Sequence, residues 1–307
     1  MTRVSSFGQN QALLQGILTN QNKLFEAQRQ VNTGKESDEY RGIADQATTL
    51  VASKTLFSRT DAYQTISQEV GRATEVYDIQ LGLMLEGARD LRQQLLTFVG
   101  NNDATGFDLI VSENFGLTVD VLNTKVGNRY IFGGASASQR PVTVESLDQL
   151  QALPAVTDSF VNDPLKASAR VSDSVNIEYG LIADELGTDI FQVYRDLADF
   201  ADGPGGPLNG EINTVQADFI TAQIAALDTA IQDIQQSQML NGLHAQKLDD
   251  LVRQQEDQKI FLETFISDIE DVDIAEAISR LNNSQTALEA SYRVVSQTVR
   301  LSIIDFI

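Results

Sequence analysis

His244 is the only histidine in the chain, and cysteine and tryptophan are absent. A lone imidazole with no ligand partner at helical spacing and no HExxH pair makes neither a metal site nor an acid–base couple, so it reads as a surface or boundary residue. Without cysteine there are no thiolate nucleophiles, thiolate metal ligands or disulfides. The densest acidic group is Asp268, Glu270, Asp271 and Asp273. Such a group could hold Ca²⁺, but it lacks the ligand count and turn glycine of an EF-hand loop, and its place just ahead of an apolar-periodic run suits helix capping. Gly133-Gly134 and Gly205-Gly206 belong to no GxGxxG or P-loop pattern and read as turns. Carboxylates are plentiful but unplaced, as on a solvated face. No catalytic residue, cofactor or metal is assigned, and the chain is read as a non-enzyme.

Function must then lie in surfaces. The 307 residues are 42% hydrophobic, enough for real cores, and carry a net charge of -21. Residues 1–35 hold Arg3, Lys23, Arg29 and Lys35 against Glu26, a local +3, and residues 274–307 balance to zero, so the middle carries -24. An acidic surface of this size argues against a nucleic-acid partner. Near-neutral ends on an acidic body suggest that the ends pack against neighbours while the body faces water. No run approaches 18 apolar residues, so no membrane insertion is expected, and the N-terminus lacks the apolar core of a cleaved signal. That pattern implies cytoplasm, or export by a route that needs no such signal.

The elements that present these surfaces are helices. In the last 39 residues, Ile274, Ile278, Leu281, Gln285, Leu288, Tyr292, Val295, Val299, Ile303 and Phe306 form one stripe with steps of three and four. Asp271 or Asp273 can cap its start. Residues 7–33 give a second helix, with Phe7, Leu14, Ile17, Leu18, Leu24, Phe25 and Val31 on one broad face and Gly34 as its stop. Between Ile43 and Val99 runs the cleanest heptad, from Tyr63 and Ile66 through Tyr77, Leu81 and Leu91 to Phe98, read as bundle core. Phe107–Val126 is a further helix, followed by an aromatic, glycine-terminated turn. Residues 135–187 lose helical periodicity. There, 142–144 can form a strand, 147–153 a short helix ended by Pro154, and the alternation of Val175, Ile177, Tyr179 and Leu181 another strand. Asp189–Asp202 and a long stretch from Ile220 to Ile269 are helical again.

The fold class expected is mainly α: an elongated antiparallel helical bundle or coiled coil formed by the N- and C-terminal halves, with a small mixed α/β insert. The expected divisions are a terminal helix over 1–40 paired with 270–307, core halves over 41–135 and 188–269, and the insert over 136–187.

Four segments together resemble the bacterial flagellin superfamily. Thr33-Gly34-Lys35 closes the first helix as in its N-terminal signature, and Ile269, Glu270, Asp271 and Asp273 open the C-terminal motif IEDVDIAEAISRL. Gly127, Asn128, Arg129, Tyr130, Phe132, Gly133 and Gly134 of GNRYIFGG, with Pro141 and the ending LSIIDFI, are similar to the superfamily members that sit between hook and filament. The resemblance covers roughly residues 1–135 and 170–307. One departure is that Ser37-Asp38-Glu39 follows Lys35 where the family commonly has a Ser-Asp-Asp-Pro-like run.

The resemblance implies a helical core whose terminal helices, disordered in the free subunit, form a coiled coil on assembly. The stripe residues of those helices would be the assembly interface. The implied partners are hook-associated protein 1, flagellin, copies of the same chain in a ring, and an export chaperone on the C-terminal segment. The implied location is the extracellular flagellum, reached through the flagellar type III apparatus. A filament subunit, a secreted enzyme carried on the same scaffold, and an unrelated coiled-coil scaffold in the cytoplasm are the alternatives.

Overall fold

The computed structural model describes residues 2–37 and 39–304; the side chains of residues 2–7, 9, 10, 41, 43 and 298–304 are outside the description. The fold is mainly α. The long helices are α1 (Thr2–Thr33), α2 (Ala47–Asn101), α3 (Phe107–Leu122), α5 (Ala183–Asp202), α6 (Thr214–Glu270) and α7 (Ile274–Ile304), with the single-turn α4 at Leu147–Gln151. Strands occur only as two antiparallel hairpins among the described residues: β1 (Lys125–Val126) with β2 (Arg129–Tyr130), and β3 (Ser168–Arg170) with β4 (Asn176–Glu178). The chain falls into two compact units, Met1–Arg59 with Asp257–Ile307, and Thr60–Glu256.

The heptad of α2 supplies the core of the second unit. Tyr77, Leu81, Met84, Ala88, Leu91, Leu95 and Phe98 are buried there against Phe107, Val111, Phe115 and Leu122 of α3, Ile190, Phe191 and Leu197 of α5, and Ile220, Leu227 and Ile234 of α6. Aromatic rings interlock at the centre, with centroids of Phe115 and Phe191 5.1 Å apart and those of Phe160 and Phe191 also 5.1 Å apart. Tyr194 is wholly buried and its hydroxyl shares a 2.9 Å hydrogen bond with Thr118 Oγ1, which satisfies both polar groups; burial pushes the phenol pKa up. On α6 the core stripe turns polar at Asn241 and Gln255. Both are buried and each donates to a backbone carbonyl, Asn241 to Thr74 and Gln255 to Val171, at 2.8 Å.

Several expected boundaries move. The third helix stops at Leu122 rather than 126; Asn123 is its C-cap, with its backbone N–H still bonded to the Val119 carbonyl at 3.0 Å, while its side-chain amide pairs with the backbone of Val142, accepting at 3.0 Å and donating at 3.2 Å. Val126, the expected last residue of that helix, is instead exposed in β1. The helix expected from Asp189 begins at Ala183. Gly187 lies inside it because the Phe160 ring fills the space where a Cβ would stand, 2.7 Å away. Residues 142–144 form no strand of their own; Val142 makes a single bridge to Phe160. The β4 strand does fall in the alternating stretch, with Ile177 buried.

Candidate assembly interface

Within the first unit α1 packs along α7. The α1 helix ends as its sequence requires: Gly34 takes φ +70°, open to glycine without strain, and its N–H returns to the Gln30 carbonyl at 2.9 Å. At the other end of the sequence, α6 stops at Glu270 and α7 starts at Ile274. Asp273 caps α7, its Oδ1 accepting from the N–H of Ala275 at 2.8 Å and of Glu276 at 3.2 Å.

These two helix junctions, 235 residues apart in sequence, are tied directly. Lys35 bridges Asp271 as an isolated β pair, the Val272 N–H donates to the Gly34 carbonyl at 2.9 Å, and the Glu36 N–H donates to the Glu270 carbonyl at 2.7 Å. Lys35 Nζ lies 3.0 Å from Glu270 Oε2, and Lys54 from α2 holds the other carboxylate oxygen. Burial pushes the Glu270 pKa upward, but hydrogen bonds and charge from Lys54 and Lys35 outweigh it and hold the carboxyl below its usual range. The carboxylate side chain is 14% exposed and the two lysines 44% and 40%, so the clasp is half in water and its ionic part is worth little more than a surface pair. Thus Gly34 and Lys35 meet Glu270 and Asp271 in one junction, with Thr33, Ile269 and Asp273 flanking it in sequence. Arg280, 3.7 Å from Glu36, extends it onto α7.

Beyond the clasp the broad apolar face of α1 divides into two rows. Ile17 is buried, Leu24 and Val31 are half-buried, and together with Ala27 they face α7. Leu14, Leu18 and Phe25, about a quarter turn away round the helix, stay 60, 59 and 68% exposed. The α7 stripe divides likewise: Leu281, Leu288 and Val295 are half-buried, while Ile274, Ile278 and Tyr292 are exposed at 45, 43 and 47%. Polar pairs register the two helices between the rows, Asn20 Nδ2 to Ser291 Oγ and Gln21 Nε2 to Tyr292 Oη, each 2.7 Å. The side chains of Phe7, Val299 and Ile303, and all of Phe306, lie outside the described residues.

The aromatic turn belongs to the second unit. Gly127 (φ +62°) and Asn128 turn the β1–β2 hairpin, and Lys125 lies over the Tyr130 ring at 4.4 Å. Phe132 is buried with its ring 5.5 Å from that of Tyr77. Gly134 is required twice over: its φ is +61°, and a Cβ there would stand 2.0 Å from the Asp163 carbonyl oxygen. The returning insert therefore crosses directly over the Gly133-Gly134 step, where the Asp163 N–H bonds the Gly133 carbonyl at 3.1 Å.

Two further residues of the first unit are not apparent from periodicity. Lys54 sits on α2, far in sequence from either motif, and only the fold brings it to Glu270. Phe261, 68% exposed in the first unit beside exposed Ile260, lies off the α6 stripe. The run Ile260-Phe261-Leu262 carries the missed signal, since a helix cannot turn three consecutive apolar residues inward. His244 is half-buried, and no group of three or more metal-ligating side chains gathers among the described residues.

Residues 224–307 match the family model of the bacterial flagellin C-terminal helical region. Among solved structures, a flagellar hook-associated protein from Vibrio parahaemolyticus superposes with a TM-score of 0.56 at 13% identity, over 76% of this chain and 99% of that one. The crystal structure of Bacillus cereus FlgL superposes with a TM-score of 0.51 at 11% identity, over 66% of this chain and 98% of that one. At these identities the likeness is one of fold. No curated protein sequence matches the chain. Residues 224–307 are thus a C-terminal helical region of the bacterial flagellin type, carried on a fold that the chain shares with these two structures.

Proposed function

We propose that this chain is the structural adaptor at the hook–filament junction of the bacterial flagellum, the role of hook-associated protein 3. In this reading it meets hook-associated protein 1 on one side and flagellin on the other, as a ring of copies whose terminal helices form the inner contacts. It leaves the cell through the flagellar type III apparatus without a cleaved signal, with an export chaperone on its C-terminal segment. It carries out no catalysis; its work is to hold two polymers of different stiffness together.

The observation that carries the reading is the divided apolar face. Full burial of a Leu or Phe side chain is worth roughly 1.5–3 kcal/mol, so the exposed row Leu14, Leu18 and Phe25 leaves on the order of 4 kcal/mol unrealised in one molecule. Apolar rows on adjacent paired helices mark an interaction surface, and heterologous contacts repeating round an axis would bury them. In a strain lacking the chain, wild type is expected to restore motility and attached filaments. A Leu18→Asp/Phe25→Asp variant is expected to be exported but to release flagellin as monomer. Normal motility of that variant would overturn the assembly role.

Purified chain forming long filaments alone would assign it as a filament subunit instead.

A further inference from the structure

A cleft of about 540 Å³ opens within the second unit, where α2, the Gly127 hairpin and the segment Tyr179–Leu181 after β4 come together. Its interior is partly aromatic. Tyr77 is buried, Tyr130 and Tyr179 are half-buried, and the small residues Ala73, Ala137 and Ala167 leave room between them. The size falls in the range of ordinary ligand-binding sites.

The lining carries Arg72 from α2 and Arg129 from β2, both exposed, with Glu69 its only carboxylate. Neither guanidinium has an ion-pair partner among the described residues. Lys125, stacked on Tyr130, adds a third positive charge beside the cleft. This sign is opposite to that of the molecule: residues 121–144 hold Lys125, Arg129 and Arg140 with no Asp or Glu, in a chain of net charge -21. A chain with 43 carboxylates that leaves two arginines unpaired on one cleft has left them for something else. The Tyr77 hydroxyl is committed, donating to the Ile131 carbonyl at 2.8 Å, so an anion entering must be taken by the guanidiniums. Each of those can hold a carboxylate through two parallel hydrogen bonds.

We infer that the cleft docks an extended acidic segment of a partner protein, with an apolar or aromatic side chain among the tyrosines and flanking carboxylates on Arg72 and Arg129. The two charges come from different elements and the interior between them is apolar. The occupant therefore needs separated carboxylates with an apolar group between them, which a peptide supplies and a small anion does not. The acidic surface elsewhere repels anions, so binding is confined to this cleft. The inference draws nothing from the terminal helices, and its test fails or succeeds independently of the motility test.

The test is calorimetric titration of the full chain, at low salt, with the capped peptide Glu-Asp-Phe-Asp-Glu and its amide counterpart Gln-Asn-Phe-Asn-Gln. The acidic peptide is expected to bind at least tenfold tighter than the amide form and to weaken as salt rises. The double variant Arg72→Gln/Arg129→Gln, both sites exposed and its fold checked by circular dichroism, is expected to lose at least tenfold, whereas Lys247→Gln, an exposed cation outside the cleft, loses nothing. Equal binding of the two peptides, unchanged affinity in the double variant, no binding at all, or free glutarate binding as tightly as the peptide would each overturn the inference.

Discussion

Two glycines with nearly the same backbone angle separate conformational strain from steric demand. Gly127 and Gly134 have φ of +62° and +61°, but nothing lies within 4 Å of a Cβ at 127, whereas the Asp163 carbonyl oxygen would be 2.0 Å away at 134. Gly127→Ala is expected to cost about 1 kcal/mol, the left-handed penalty alone, and Gly134→Ala about 3 kcal/mol or more, because backbone must move as well. Urea denaturation of the two variants measures the gap. Glu270 makes the second residue-scale prediction. Because folding lowers its pKa, the stability it contributes is present above its ordinary value of about 4.5 and is lost as pH falls through the lower folded value. The protection factors of the Glu36 and Val272 N–H groups, which close the clasp, should therefore fall on acidification below that range. In Glu270→Gln they should be lower at neutral pH and lose that dependence.

Among elements, the pairing of α1 with α7 distinguishes residues that periodicity places on one face. Ile17 and Leu18 are neighbours on a single broad stripe in the sequence, yet one is 9% exposed and the other 59%. Ile17→Asp puts a charge into the seam and is expected to lower the helicity of the terminal helices in the monomer. Leu18→Asp is expected to leave monomer stability within about 0.5 kcal/mol and to block assembly. Circular dichroism and a sedimentation assay with hook-associated partners read the two effects separately, and identical behaviour of the two variants would refute the division. On α6, Phe261 is apolar but off the helical period, so a single stripe does not include it.

At the scale of the whole molecule, the two compact units predict a stepwise digestion. Limited proteolysis is expected to remove residues up to about 35 and beyond about 272 first, leaving a helical fragment that retains the Tyr77–Phe132 and Phe115–Phe191 packing but does not assemble. Mass spectrometry of the fragments, with circular dichroism, checks it. The sequence by itself determined the helical class, the α2 heptad, the Gly34 stop, a cap at Asp271 or Asp273, and the absence of Cys-based or paired-His chemistry. Each of these follows from local periodicity, a backbone angle or composition, all carried within a few turns of chain. Only the tertiary structure decided what depends on distant partners. It brought Lys54 to Glu270, paired the Asn123 side chain with the Val142 backbone, seated Gly187 against the Phe160 ring, and sent Val142, Val144, Leu150 and Val156 of the insert into the same core as α2 and α3. It also split the terminal stripes into an inner and an outer row. The physical reason is that a helical stripe is about 100° wide while a single neighbouring helix covers only part of it, and which part depends on a neighbour more than 200 residues away.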